Sequence, residues 1–157
     1  MFPTRIIWHH SAISSQGSQF DQINDYHMSR NFPISELGFF VGYHYLIEQD
    51  GTIKKARNEN EIGAHTKGEN ADSIGICFAG DFNTGKPTEK QCEMAAHLVE
   101  GLMSRWGIQL KNIFPHRQFR QTDCPGLKLK DNWIIINYLE RKISWLKAIL
   151  WKLGFKF

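Results

Sequence analysis

Hydrophobic and polar positions fall into blocks whose period changes along the chain. Arg5–His9 (RIIWH) is a short β-branched and aromatic run, which predicts a buried strand. Past the Gly-Ser-Gln stretch at 17–19, Phe20, Ile23 and His27 recur at helical spacing and predict an amphipathic helix over Phe20–Arg30. Pro33 and Gly38 punctuate a loop. GYHYLIEQDGTIKKAR, from Gly42 to Arg57, then reads as a hairpin, two β-rich arms around a two-residue Asp50-Gly51 turn. SIGICFAG at 73–80 is nearly continuous in apolar residues and predicts a central strand covered on both faces. Thr88 with Gln91 three positions on is a capping box. It opens a helix whose stripe is Ala95, Leu98, Val99, Leu102 and Trp106, stopped by Gly107. A short strand at 112–114 delivers the chain to His116. The segment 131–153 has helical spacing, with Ile135, Leu139, Ile143, Leu146 and Leu150 apolar. Interleaved strands and helices predict an α/β fold: a single domain, a central mixed β-sheet flanked by helices on both faces, and a basic amphipathic C-terminal helix. The expected division is a domain over 1–142 and a tail over 143–157.

The 157 residues suit one domain with a real core. Net charge is +3 and unevenly placed. Arg141, Lys142, Lys147, Lys152 and Lys156 stand against Glu140 alone in the last 25 positions, so the body is close to neutral. That distribution argues against a broad nucleic-acid face. The N-terminus lacks a charged segment followed by a long apolar one, so synthesis in a cytoplasm without a signal peptide is expected. Three cysteines in no framework spacing predict free thiols. Cys77 falls in the apolar run and reads as a buried strand residue. Cys124, between Asp123 and Pro125, stands in a polar, loop-like context.

That cysteine lies eight positions after His116 in HRQFRQTDCPG. Imidazole and thiolate are zinc ligands, and a catalytic zinc takes three from the protein while leaving one position open. His116 and Cys124 offer two. A third must come from elsewhere, and His9 ends the first strand, where a ligand is held rigidly. Its neighbour His10 points to the other face, because strand side chains alternate. A closed structural site would need a fourth ligand, with His10 or Cys77 the nearest candidates.

IIWHHSA at 6–12, GYHYLIEQDGTI at 42–53, GAHTKGENADSIGICFAG at 63–80 and HRQFRQTDCPG at 116–126 together resemble the zinc-dependent N-acetylmuramoyl-L-alanine amidases of the phage-lysozyme and peptidoglycan recognition protein type. The resemblance runs from about Ile6 to Leu127. It implies one Zn2+ on His9, His116 and Cys124, with Tyr43 catalytic and His65 lining the site. Thr122 follows the pattern of many recognition proteins, where some phage members have lysine. The implied reaction is hydrolysis of the amide joining N-acetylmuramic acid to L-alanine in peptidoglycan, as in a phage or prophage endolysin. Such an enzyme acts on the cell wall, in the periplasm or outside the cell. A zinc there supplies a Lewis acid and a water of lowered pKa. Thr122 or His65 would help hold the oxyanion, and Tyr43 would orient water or relay a proton. His10, Arg117 and Asn70 are the candidate substrate-binding residues. The alternatives are a peptidoglycan-binding module that does not cut, and a secreted antibacterial amidase. Binding-only relatives generally lack the cysteine, which is present here.

The stretch ISWLKAILWKLGFKF at 143–157 is too charged to span a bilayer and too apolar for a solvated linker. The first half of 131–153 is expected to pack its stripe on the sheet. Beyond Trp145 the apolar surface widens, and an anionic membrane or lipopolysaccharide is the partner expected for 144–157. The protein is expected to be a monomer.

Overall fold

The computed structural model describes residues 1–155. Five strands form one mixed sheet in the order β3-β2-β4-β1-β5. They are β1 (Arg5–His10), β2 (Tyr45–Ile47), β3 (Ile53–Lys55), β4 (Ser73–Phe78) and β5 (Ile113–Pro115). β1 runs parallel to both β4 and β5, β2 runs parallel to β4, and only the β2–β3 hairpin is antiparallel. The two longest strands, β1 and β4, lie in the middle and are buried along almost their whole length, as continuous apolar runs require.

Alternation along the strands gives each face its own core. Ile6 and Trp8 of β1 join Ile74, Ile76 and Phe78 of β4 on one face, beneath α2 (Glu89–Trp106) and α3 (Trp133–Lys152). Leu46 and Cys77 belong to the other face, beneath Phe20 and Ile23 of α1 (Phe20–Ser29). Helices therefore cover both faces, as the residue pattern predicts.

The caps explain where the helices begin. Thr88 Oγ1 accepts from the Gln91 amide at 3.1 Å and Gln91 Oε1 accepts from the Thr88 amide at 3.0 Å, the reciprocal box. Gln91 Nε2 also donates to Ile47 O and Ala79 O, tying the start of α2 to β2 and to the end of β4. Gly107, left-handed at φ +67°, ends α2. Helix α1 has no local side-chain cap. The buried Glu48 carboxylate, 28 residues away in sequence, accepts from the Gln19 and Phe20 amides at 3.0 Å instead.

Three expectations change. The hairpin is closed by a three-residue loop, not by Asp50-Gly51 alone. Glu48 and Thr52 still pair, and Gly51 at φ +89° donates back to Glu48 O, the arrangement of a type I turn followed by a left-handed residue. Tyr43 precedes β2 in a bend and is not in the strand. The third change is in α3, which runs unbroken through 142/143 and, of the predicted stripe, packs Ile135 against the core but leaves the next three positions outside. Trp133 packs on Trp8 and Phe78 at 5.4 Å, and Ile134 is buried. Farther along, Asn137 Nδ2 donates to Cys92 O at 2.7 Å and Trp145 stacks on His97 at 4.5 Å. Leu139, Ile143 and Leu146 of the predicted stripe are exposed, because α2 meets polar and aromatic side chains of α3 instead. Trp145 is thus part of the docked face, while Lys156 and Phe157 lie outside the described residues.

Candidate metal centre

β1 runs between β4 and β5, and its last residues reach the end of the sheet where both neighbouring chains turn away. His9, paired in register with Cys77, points to the α1 face. β5 ends at Pro115, and His116 opens a single 3-10 turn directly beyond it. The loop then folds back and brings Cys124 over the end of β1. Two contacts hold it there: Arg117 N donates to Cys124 O at 3.0 Å, and Cys124 N donates to Thr122 Oγ1 at 3.2 Å.

His9, His116 and Cys124 each present one ligand atom, all within 4.8 Å of one another. Cys124 Sγ is 3.7 Å from His9 Nδ1. A tetrahedral zinc with Zn–S of about 2.3 Å and Zn–N of about 2.0–2.1 Å would set S···N at about 3.6 Å. The donor chemistry fits as well. Burial, then the neighbouring His65 and His116, hold the His9 imidazole well below its ordinary range, so it is neutral as a ligand must be. Burial pushes the Cys124 thiol up to about 12 although Arg117 pulls the other way. A thiol in that setting becomes a thiolate only beside a cation.

His9 has its second nitrogen engaged on the far side. Nε2 lies 3.1 Å from His65 Nδ1, and His65 Nε2 lies 3.4 Å from Ser73 Oγ, which donates to Glu69 O at 2.5 Å. Burial, then His44, lowers the His65 pKa to about 3, so His65 is neutral with one acceptor and one donor nitrogen. Polarity follows from the far end of this chain. The Ser73 hydroxyl spends its proton on Glu69 O, so it accepts from His65 Nε2–H, and His65 Nδ1 accepts from His9 Nε2–H. That tautomer leaves the lone pair of His9 Nδ1 facing Cys124. Gly75 of β4 makes room for this ring: a Cβ there would meet His65 Cγ and Cδ2 at 2.6 Å. Neither Gly75 nor Ser73 is singled out by the sequence, because their contribution is space and a hydroxyl inside an ordinary apolar strand.

Tyr43 lies with its ring 5.0 Å from that of His9, on the wall of a hollow shared with Ser11, Ile13, Gln22, Tyr26 and His27. Burial, then the Cys77 and Cys124 thiols, keep its phenol well above the ordinary range. The phenol therefore retains its proton and serves as a donor. On the other side His116 and His65 line a second hollow, of about 540 Å³, rimmed by Phe32, Lys67, Asn70 and Arg120.

The structure places the remaining candidates differently. His10 points to the opposite face from His9; its Nδ1 accepts from Phe82 N at 3.0 Å and its ring packs on Phe82, so it does not reach the cleft. Arg117 is turned into its own loop, donating to Gly126 O at 2.7 Å and lying 3.2 Å from Asp131. It shapes the cysteine loop and is not free for a substrate carboxylate. Asn70 reaches the rim, but its Oδ1 is committed to the His65 and Thr66 amides at 3.1 and 2.8 Å. Thr122 accepts from Cys124 N and keeps its own proton free to donate.

A family model described as N-acetylmuramoyl-L-alanine amidase matches residues 1–127. Peptidoglycan-recognition protein SC2 of Drosophila melanogaster is 37% identical over 114 residues, 71% of this chain and 59% of that protein. The endolysin of Escherichia phage T7 is 34% identical over 99 residues, 59% of this chain and 64% of the endolysin. Among solved structures, the endolysin amidase LysCS of Clostridium intestinale superposes with a TM-score of 0.70 at 33% identity, covering 81% of this chain and 77% of that one. Drosophila PGRP-LB superposes equally well at 30% identity, covering 82% and 78%. The chain thus spans about 59% of the recognition protein SC2 that it matches.

Proposed function

Because the chain belongs to the N-acetylmuramoyl-L-alanine amidase family, we propose that it hydrolyses peptidoglycan at the amide between N-acetylmuramic acid and L-alanine, as a zinc enzyme of the endolysin kind whose site of action is the cell wall. The observation that carries this reading is the convergence of His9, His116 and Cys124 within 4.8 Å at the end of β1.

His9, His116 and Cys124 would hold the ion, with His9 bound through Nδ1. A bound zinc supplies Lewis acidity and lowers the pKa of a water. The protein side of the chemistry comes from the cleft. Tyr43, protonated and beside His9, donates to the oxygen on which charge develops or passes its proton toward the leaving amine. Thr122 supplies a second hydroxyl next to Cys124. His65 fixes the orientation and tautomer of His9. The muramyl peptide lies across the cleft formed by the two hollows on either side of His9. Lys67 and Arg120, exposed on the rim beside His116, suit the carboxylates of the stem peptide.

The test combines metal content with product analysis. Protein purified without added metal should carry one zinc per chain and release stem peptides from purified sacculi without cutting the glycan. Cys124→Ser should lose both properties. A metal-free wild type, full zinc occupancy in Cys124→Ser, or glycan cleavage without peptide release would each overturn the reading.

A further inference from the structure

Arg57 is 2% exposed and has no salt-bridge partner among the described residues. Its charge makes burial costly, and an aliphatic side chain would fill the same space without that cost. The nearby Glu61 carboxylate is taken up by the Glu36 and Asn58 amides at 2.8 and 2.6 Å. What the guanidinium holds instead is backbone. Nε donates to Val41 O at 2.8 Å, and Nη2 donates to Pro33 O. A planar fork of donors reaches two such acceptors from one side chain.

Pro33 and Val41 are the two ends of one loop. Its tip turns back on itself, with Gly38 N donating to Ser35 O at 3.0 Å and Ser35 N to Phe39 O at 2.8 Å. Each end leads into one wall of the cleft. Phe32, just before Pro33, stacks on His27 at 4.2 Å and rims the hollow that His65 and His116 line. Tyr43, just after Val41 and Gly42, lines the other hollow beside His9. Because Tyr43 stands in a bend outside the strands, the sheet orders only the chain that follows it, where His44 N donates to Gly75 O at 2.9 Å. Before it the ties are Arg57 to Val41 O, Ala64 N to Gly42 O at 2.9 Å, and Gly42 N to His27 Nδ1 at 3.1 Å. Burial, then the Arg57 charge, lower the His27 pKa to about 4, so that imidazole is neutral and able to accept.

We propose that Arg57 is a positioning residue for Tyr43. By gripping both ends of the 33–41 loop it sets the span between Phe32 and Tyr43, and so the place of the Tyr43 hydroxyl beside the metal centre. The inference rests on the hydrolysis proposed above, with Tyr43 as its proton donor. Lysine is no substitute, because one ammonium on a flexible stem does not span the two carbonyls. An error of about 1 Å in such placement costs up to ~10²-fold in rate. The loss falls on kcat, because the Tyr43 bond is made in the transition state.

Arg57→Lys and Arg57→Met are compared with wild type on a soluble muramyl peptide, each also in the Tyr43→Phe background. Zinc content is matched, and the temperature is kept below the unfolding of every variant. The expected result is a ~10–100-fold lower kcat with KM unchanged in both Arg57 variants, and no loss beyond ~2-fold where Tyr43 is already phenylalanine. Asn58→Ala, which frees only the Glu36 side chain near the loop tip, should keep wild-type turnover. Equal losses with and without the Tyr43 hydroxyl would mean that Arg57 serves the fold alone, as would failure of both variants to fold, and either overturns the proposal. So would a loss in Asn58→Ala matching that of Arg57→Lys. Wild-type turnover in the Arg57 variants beside an impaired Tyr43→Phe sinks the positioning and leaves the hydrolysis standing. Wild-type turnover in Tyr43→Phe removes the catalytic tyrosine, and the positioning with it. No peptide release by zinc-loaded wild type refutes the hydrolysis itself, on which the inference rests.

Discussion

His65 touches the proposed metal centre through one atom pair, and that makes its contribution measurable. In His65→Ala the Nε2–H of His9 loses the acceptor 3.1 Å away. The nearest replacement, Thr66 Oγ1, is 3.5 Å from the same nitrogen, at the limit of a useful hydrogen bond. His9 is 1% exposed, so water does not take over without opening the site. A buried donor left without a partner costs about 1–3 kcal/mol. Part of that cost falls on the metal-bound state, where the ring must keep both its tautomer and its angle. Loss of such a partner typically weakens metal affinity ~10–100-fold, which is about 1.4–2.7 kcal/mol. The assay is competition for zinc against a chromophoric chelator at fixed pH, with wild type and variant side by side. Gly75→Ala reaches the same bond without altering any polar group, because the new methyl group displaces the His65 ring. Both variants should show reduced affinity with the secondary structure retained. Wild-type affinity in both would refute the hydrogen-bond chain from His9 through His65 to Ser73.

Two further predictions follow from the same region. Tyr43→Phe should retain zinc and fold but lose about 10²–10⁴ in turnover, read as stem-peptide release from sacculi; wild-type turnover would reduce Tyr43 to a packing residue. His44, fully buried, accepts from Gly75 N at 3.0 Å, and burial lowers its pKa to about 4. The unfolded chain therefore takes up a proton near pH 6.5 that the folded chain refuses, so stability is full above that pH, falls as the pH drops toward 4, and levels off below. The shift corresponds to about 3 kcal/mol. Urea unfolding of wild type and His44→Asn between pH 7.5 and 4 should show the smaller slope in the variant, and identical slopes would refute the assignment.

The sheet was legible because its central strands are apolar on both faces, and α2 was legible because its cap and stop are local. What escaped the sequence depends on partners distant along the chain. Helix α1 starts where it does because Glu48 reaches its first amides, and no residue near Gln19 announces that. The hairpin loop needed three residues because the Glu48–Thr52 pair closes it. Beyond Ile135 the stripe of α3 points outward, because periodicity finds an apolar face without saying what it meets. Within the site, the alternation at His9-His10 was readable from strand geometry alone. That Arg117 folds back onto Gly126, and that Asn70 spends its oxygen on two amides, depends on loop geometry that spacing does not encode.

The distance between His9 and Cys124 along the chain, 115 positions, has a topological consequence. An ion held by the two, as proposed, would act as a clasp around nearly the whole domain, from its first strand to the loop beyond its last. Such a clasp forms only after β1 has found β5, the pairing that closes the longest loop in the sheet and carries a large entropic cost. Once fastened, it narrows the range of open states available to the chain between the two ends, much as a cross-link over the same span would. A nick in an intervening surface loop would then leave both pieces held together. For a protein whose proposed substrate lies outside the protection of a cytoplasm, the ion would be a safeguard against proteases as much as a part of the chemistry.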